Sequence, residues 1–369
     1  MNRKVVVDDV RTSASGPLLA VEDLRTHFRT PRGTVKAVDG VSFTLDRGRT
    51  LGLVGESGCG KSVLSRSIMR LLPRRNLLTS GRVDFDGADL VSLPERQMRD
   101  RWGTDLSMIF QDPMTALNPV MKIGRQITES LRRHLQISRD EAEATALQLL
   151  TDVGIPEPAR RLDEFPHQLS GGMRQRVCIA IALACGPRLL FADEATTALD
   201  VTVQAQILGL LSRLQSERHM AMVMVTHDLG VVAGHTDDIA VMYAGKIVEK
   251  APTRTLFANM RMPYTEALLR SIPKLDNPAH TRLQVIGGRP PDLIDPPKGC
   301  NFSPRCPYAQ QQCHEQEPPL VEAGPGHTYA CWLPVGTKEN EEALEINLRK
   351  GLAQAVVAAE GAGAGAAVG

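Results

Sequence analysis

Eight residues, Gly55-Glu56-Ser57-Gly58-Cys59-Gly60-Lys61-Ser62, constrain this chain more than any other stretch, because they fill every fixed position of the phosphate-cradling pattern G-x-x-x-x-G-K-[ST]. The apolar run Leu51 to Val54 precedes them and reads as a buried strand. An apolar helical stretch from Val63 to Leu72, ended by Pro73, follows. The glycines let backbone N–H groups turn inward around phosphate oxygens, and the helix presents its positive dipole end to them. Lys61 adds a point charge, and Ser62 is placed to bind Mg²⁺. A glycine-rich turn can carry a lysine by accident, but the correct flanking elements make a nucleotide site the expectation.

Charge and composition narrow what surrounds that site. The 369 residues leave room for a large domain plus an appendage. With 43 basic and 42 acidic side chains the formal net charge is +1, so no whole-chain electrostatic footprint for nucleic acid exists. No run of about eighteen apolar residues is present, and residues 1–17 carry charges where a signal peptide needs an apolar stretch, so a mobile leader and a cytosolic chain are expected. Of the seven cysteines, Cys59, Cys178 and Cys185 are scattered, whereas Cys300, Cys306, Cys313 and Cys331 cluster. In the cytosol a disulfide framework is not the expected use of such a cluster.

Two strands, Leu18 to Phe28 and Val35 to Leu45, are expected before the loop, with Phe28 placed either to stack on an adenine ring or to pack as a half-buried strand residue. Gly81 to Gly87 reads as a strand ending in an Asp-Gly turn. The strand Ser107 to Asp112 stops at Pro113 and leaves Gln111 at its exit, where an amide can reach metal-bound water. A helical insert of about residues 113–175 follows, in which Ser138-Arg139-Asp140-Glu141 is a capping box. It leads to Leu169-Ser170-Gly171-Gly172-Met173-Arg174-Gln175-Arg176, a second glycine turn entering a helix, with Ser170 at the N-cap and bare N–H groups ready for an anion. The apolar strand Leu189 to Asp193 ends in the carboxylates of Asp193 and Glu194. The first is suited to hold Mg²⁺ and the second to act as general base toward a water at the γ-phosphate. A further strand, Met222 to Thr226, ends in His227, which can sense the γ-phosphate.

The phosphate loop, Gln111, the Leu169–Arg176 signature, Asp193-Glu194, the turn Ala198-Leu199-Asp200 and His227 occur in the order found in ABC-transporter ATPases, which residues 18–256 therefore resemble. The wording Gly-Glu-Ser-Gly-Cys-Gly-Lys-Ser, Phe-Gln-Asp-Pro-Met-Thr-Ala-Leu-Asn-Pro and Thr-Ala-Leu-Asp-Val-Thr is similar to the dipeptide/oligopeptide importer subfamily. Arg289-Pro290-Pro291 and the Gly299–Pro307 stretch look like that subfamily's C-terminal extension. One departure is Ala195, where the family usually has proline after the catalytic glutamate.

The resemblance implies an α/β fold: a mixed-sheet P-loop ATPase core with an N-terminal antiparallel β subdomain and a helical subdomain over residues 18–260. A small Cys- and Pro-rich extension over 261–335 and a largely disordered tail over 336–369 would follow. It further implies that two such domains meet head to tail with ATP between them. Gly55, Glu56, Ser57, Gly58, Cys59, Gly60 and Lys61 would hold the phosphates, with Lys61 neutralising β- and γ-phosphate charge. Ser62, Asp193 and Gln111 would serve Mg²⁺, Gln111, Glu194 and His227 would serve hydrolysis, Ser170, Gly171 and Gly172 would close the partner's site, and Asp200 would link the two. The implied partners are a second ABC ATPase subunit, two transmembrane permeases and, indirectly, an extracytoplasmic solute-binding protein, which places the chain peripherally on the cytoplasmic face of the membrane. A soluble ABC ATPase acting on nucleic acid or ribosomes is the other class; tandem ATPase domains, a coiled coil or a basic patch would favour it, and the sequence has none of these.

The cysteine spacing is Cys300-x5-Cys306-x6-Cys313-x17-Cys331, without a Cys-x2-Cys pair, unlike common zinc modules. Four thiolates with a proline after Cys306 suit an iron–sulfur cluster, and members of the resembling subfamily can carry [4Fe–4S] there. Structural zinc, recruiting His314 or His327, and unliganded thiols are the alternatives. Residues 273–333 are rich in proline and poor in aliphatics, so something other than a core is expected to hold them together.

Overall fold

A computed structural model describes residues 16–196, 200–272 and 286–351. The leader up to residue 15, Ala198 and Leu199 of the linking turn, and the tail from residue 352 lie outside the described residues.

Among the described residues twelve strands form two sheets. They are β1 (Leu19–Thr30), β2 (Gly33–Leu45), β3 (Thr50–Val54), β4 (Leu77–Phe85), β5 (Ala88–Asp89), β6 (Leu106–Ile109), β7 (Leu189–Asp193), β8 (Ala221–Thr226), β9 (Asp238–Tyr243), β10 (Lys246–Pro252), β11 (Val321–Gly324) and β12 (His327–Tyr329). The smaller, antiparallel sheet has the order β2-β1-β4-β5. Its inward face follows strand period two: Val41, Phe43 and Leu45 are buried and alternate with exposed Ser42 and Thr44. The larger sheet has the order β11-β12-β10-β9-β3-β8-β7-β6, and its centre is parallel, β3 pairing with both β8 and β9, β8 with β7, and β7 with β6. Every residue of β3, β7 and β8 is buried, which explains why these strands read as unbroken apolar runs rather than as alternations. The parallel strands all end on one edge, and their exits carry the phosphate loop, Gln111, Glu194 and His227.

Between β6 and β7 the chain is helical. Helix Ile123–Leu135 buries Ile123, Ile127 and Leu131 on one stripe. Helix Arg139–Asp152 opens with the capping box read from the sequence: the Ser138 hydroxyl accepts from the Glu141 N–H while the Glu141 carboxylate accepts from the Ser138 N–H. Such a cap contributes about 1 kcal/mol. The helix after the phosphate loop runs Lys61–Ile68 and stops short of the expected Leu72, because Arg70 takes a left-handed conformation (φ 53°) and sends its guanidinium to the carbonyls of Leu90 and Leu93. Among the described residues no helix is long and apolar enough to cross a membrane.

The C-terminal extension departs from expectation in two ways. First, it is not held apart from a core. Its hairpin β11–β12 adds to β10 of the large sheet, with Glu249 opposite Tyr329 and Lys250 opposite Thr328. Phe302, fully buried, packs edge-on against Tyr243 (5.4 Å between centroids) and tilted against Tyr264 (5.3 Å), so aromatics from both parts supply the packing that aliphatics do not. Burying one such ring contributes about 1.5–3 kcal/mol. Second, the segment expected to be a largely disordered tail from residue 336 begins with the helix Lys338–Arg349, capped by the Thr337 hydroxyl. Buried Asn347 donates to the carbonyls of Pro307 and Ala309 (both 2.9 Å) and Asn340 to that of Leu333 (2.9 Å), which docks the helix onto the cysteine-rich segment. Polar anchors of this kind leave no apolar stripe to read in a sequence.

Candidate functional site

The phosphate loop leaves β3 at Val54 and has room for glycine alone at two places. A Cβ on Gly55 would lie 2.1 Å from the Met242 carbonyl oxygen. One on Gly60, whose φ is 111°, would lie 2.2 Å from that of Ala37. Lys61 is almost fully buried and donates to the carbonyls of Gly55 (2.7 Å) and Glu56 (3.1 Å), so its ammonium rests against the loop that is to receive phosphates. Cys59 is buried beside it, and burial pushes its thiol up from the ordinary value.

Across from the loop, Asp193 at the end of β7 is fully buried. Its Oδ1 accepts from the Ser62 hydroxyl at 2.7 Å, while its Oδ2 is buried without a hydrogen-bond partner and has the Arg66 guanidinium at 3.7 Å. Burial raises this carboxyl above the usual carboxylate range, opposed by the Ser62 hydrogen bond and by Arg66. An orphaned carboxylate oxygen is costly, and a hydroxyl beside it completes a hard-oxygen donor set. Ser62 and Asp193 therefore fit Mg²⁺.

Glu194 follows in the left-handed region (φ 47°), with its N–H donating to the Val225 carbonyl. Left-handed backbone costs about 1–2 kcal/mol in a residue other than glycine, and here it turns the carboxylate toward Gln111 and His227. The Gln111 amide donates to Oε2 at 2.7 Å, and His227 Nδ1 stands 3.5 Å from Oε1. The structure thus brings Gln111 directly to Glu194. Ala195, next in the chain, is buried.

The remaining sequence-derived residues sit at helix starts and on the small sheet. Ser170 caps helix Gly171–Leu183 by accepting from the Met173 N–H (3.3 Å), and Asp200 caps helix Val201–Arg218 by accepting from the Val203 N–H (2.9 Å). Both caps are exposed. The two helix starts approach each other, since a Cβ on Gly172 would lie 3.1 Å from a Val203 methyl. Phe28 lies half-buried on β1, opposite Val35 and Leu77.

A family profile described as ABC transporter matches residues 38–197, and one described as the C-terminal region of oligopeptide/dipeptide transporters matches residues 248–313. The oligopeptide transport ATP-binding protein OppD of Bacillus subtilis is 50% identical over 337 residues, 90% of this chain and 94% of the relative. The chain belongs to the ATP-binding proteins of the oligopeptide/dipeptide ABC transporters. Within this family it is also 50% identical to the dipeptide transport ATP-binding protein DppD of Bacillus subtilis, over 86% of this chain and 94% of the relative. It is 47% identical to OppD of Salmonella typhimurium, over 89% and 98%. Among solved structures it is similar to the dimeric post-hydrolysis state of the ATP-binding cassette MJ0796 bound to ADP and Pi, with a TM-score of 0.58, 26% identity, and coverage of 64% of this chain and 99% of that one. As an ABC ATPase the chain hydrolyses ATP with Mg²⁺.

Two residues that the sequence did not single out contact the phosphate loop. The Glu56 N–H donates to the Tyr264 hydroxyl (2.8 Å), and the Glu56 carboxylate is gripped by Arg305. Arg305 lies 249 residues away from Glu56, and no spacing rule reaches that far.

The four clustered cysteines come together in space. Among the described residues no group of three or more His, Cys, Asp and Glu side chains is arranged to hold a metal ion, so neither expected metal centre is preformed. All four cysteines are free thiols, and all four line one cavity with Met262, Phe302 and Tyr308. Burial, with the other cysteines adding repulsion, pushes Cys331 up to about 12 and Cys306 well above its ordinary value. His327, considered as a zinc ligand, gives its Nε2 to the buried Glu249 carboxylate at 2.8 Å, and His314 is exposed and outside the cavity lining.

Proposed function

We propose that this chain is the ATP-hydrolysing subunit of a transporter that imports peptides across the cytoplasmic membrane. It would lie peripherally on the cytoplasmic face, pair head to tail with a second ATPase subunit, and drive two permease subunits fed by an extracytoplasmic solute-binding protein. The observation that carries the reading is the buried Ser62–Asp193 pair with its orphaned oxygen, set between the phosphate loop and the Gln111–Glu194 pair. Phosphates enter among the N–H groups of Gly55–Ser62, and Lys61 leaves the loop carbonyls to meet their charge. Mg²⁺ held by Ser62 and Asp193 would neutralise charge on the phosphate oxygens. Glu194 takes the proton of the attacking water, which Gln111 and His227 orient, and ADP and phosphate leave. The N–H groups at Ser170-Gly171-Gly172 close the second subunit's site, Asp200 joins the two sites, and Phe28 supplies a ring for the adenine. The relatives OppD and DppD are named for oligopeptide and dipeptide transport, which supports the solute class. In vesicles carrying the assembled transporter, ATP supplied on this chain's side should drive accumulation of labelled peptides, and Lys61→Ala should abolish it. Hydrolysis that proceeds with no peptide moved would overturn the import reading.

We infer also that Cys300, Cys306, Cys313 and Cys331 bind a [4Fe–4S] cluster. Their convergence on one cavity supports it, because four buried thiolates repel one another until a cationic core offsets their charge. The commitment of His327 to Glu249 argues against a zinc site that recruits it. Anaerobically purified protein should be brown with about four irons per chain. Stoichiometric zinc without iron would refute the cluster.

A further inference from the structure

Arg305 closes the short turn Ser303–Arg305, between Phe302 and Cys306, and its side chain is only 3% exposed. It crosses to the phosphate loop, where Nη1 donates to Glu56 Oε2 at 2.6 Å and Nη2 to Oε1 at 2.9 Å. The guanidinium is itself held from behind. Nε donates to the Gly287 carbonyl (2.8 Å), Nη2 to that of Ile286 (3.2 Å) and Nη1 to the Tyr243 hydroxyl (3.3 Å). Glu56 is therefore fixed at three points: its carboxylate by Arg305, its N–H by Tyr264, and its carbonyl by the Lys61 ammonium. Two of the three fixing groups, Arg305 and Tyr264, belong to the extension, and Tyr264 packs on its Phe302. Two-pronged recognition of a carboxylate is a task for arginine that lysine cannot reproduce.

We propose that Arg305 is a positioning residue for the ATP site, acting through Glu56. An unpaired Glu56 carboxylate would stand in a loop that must receive a polyanion, repelling it and competing for Lys61. Arg305 neutralises that charge and turns it away from the loop's mouth. The C-terminal extension thereby sets nucleotide affinity. This rests on the reading of Gly55–Ser62 as the ATP site.

The test measures ATP affinity of the full-length chain, with thermal unfolding in parallel, and turnover in the assembled transporter. Arg305→Ala should weaken ATP binding about tenfold while turnover at saturating ATP falls far less. Adding Glu56→Gln should recover most of the lost affinity, because the charge that Arg305 restrains is then gone. A merely structural arginine gives no such rescue. Arg305→Lys keeps a buried cation, serves if the alanine variant does not fold, and should weaken binding about threefold. Unchanged affinity in Arg305→Lys and Arg305→Ala, or failure of Glu56→Gln to rescue, overturns the proposal. Undiminished ATP binding by Lys61→Ala would instead overturn the loop reading beneath it.

Discussion

Glu194→Gln is expected to cut ATP turnover by the assembled transporter about a hundred- to ten-thousand-fold while leaving ATP binding intact, the span that a general base contributes. Glutamine has the shape to sit between Gln111 and His227 but cannot take a proton from water. The Ser62–Asp193 pair and the Lys61 contacts do not involve the Glu194 side chain and are not altered. The backbone at residue 194 keeps its left-handed turn, because its N–H bond to Val225 does not involve the side chain. Phosphate release at saturating Mg-ATP, compared with nucleotide affinity in the same preparation, separates loss of chemistry from loss of the site.

Ser170→Arg is expected to abolish hydrolysis at the second subunit's phosphate loop while barely changing ATP affinity of the separate chain. The exposed Ser170 hydroxyl caps helix Gly171–Leu183, and losing it costs that helix start about 1 kcal/mol, a local effect away from Gly55–Ser62. The larger consequence is across the interface. A bulky cation at a helix start meant to approach a γ-phosphate blocks the closed pair, and closure is needed for chemistry but not for binding to one chain. If the separate Ser170→Arg chain lost ATP affinity as badly as Lys61→Ala does, the helix start would belong to its own chain's site and the head-to-tail arrangement would fail.

The candidate ATP site was legible in the sequence because its parts are local. Gly55–Ser62 is one contiguous turn, Asp193-Glu194 one strand end, and Ser170-Gly171-Gly172 one helix start, each with a spacing fixed by a strand, a helix or a ligand. The unbroken apolar runs of β3, β7 and β8 likewise marked strands, which the structure shows to be buried and parallel. What escaped depends on pairs distant along the chain. The pairing of β12 with β10, the grip of Arg305 on Glu56 and the docking of helix Lys338–Arg349 through Asn347 join segments whose local sequences carry no periodic signal. The cysteine-rich segment lies far from the phosphate loop in sequence, yet it touches that loop through one buried guanidinium.

The nucleotide retained by the assembled Glu194→Gln transporter after rapid desalting measures most directly whether this chain's loop holds the ATP that Glu194 helps to cleave. At least one ATP, uncleaved, should stay with each Glu194→Gln chain, and adding Lys61→Ala should remove it. ADP in place of ATP, or retention that survives Lys61→Ala, would contradict the account.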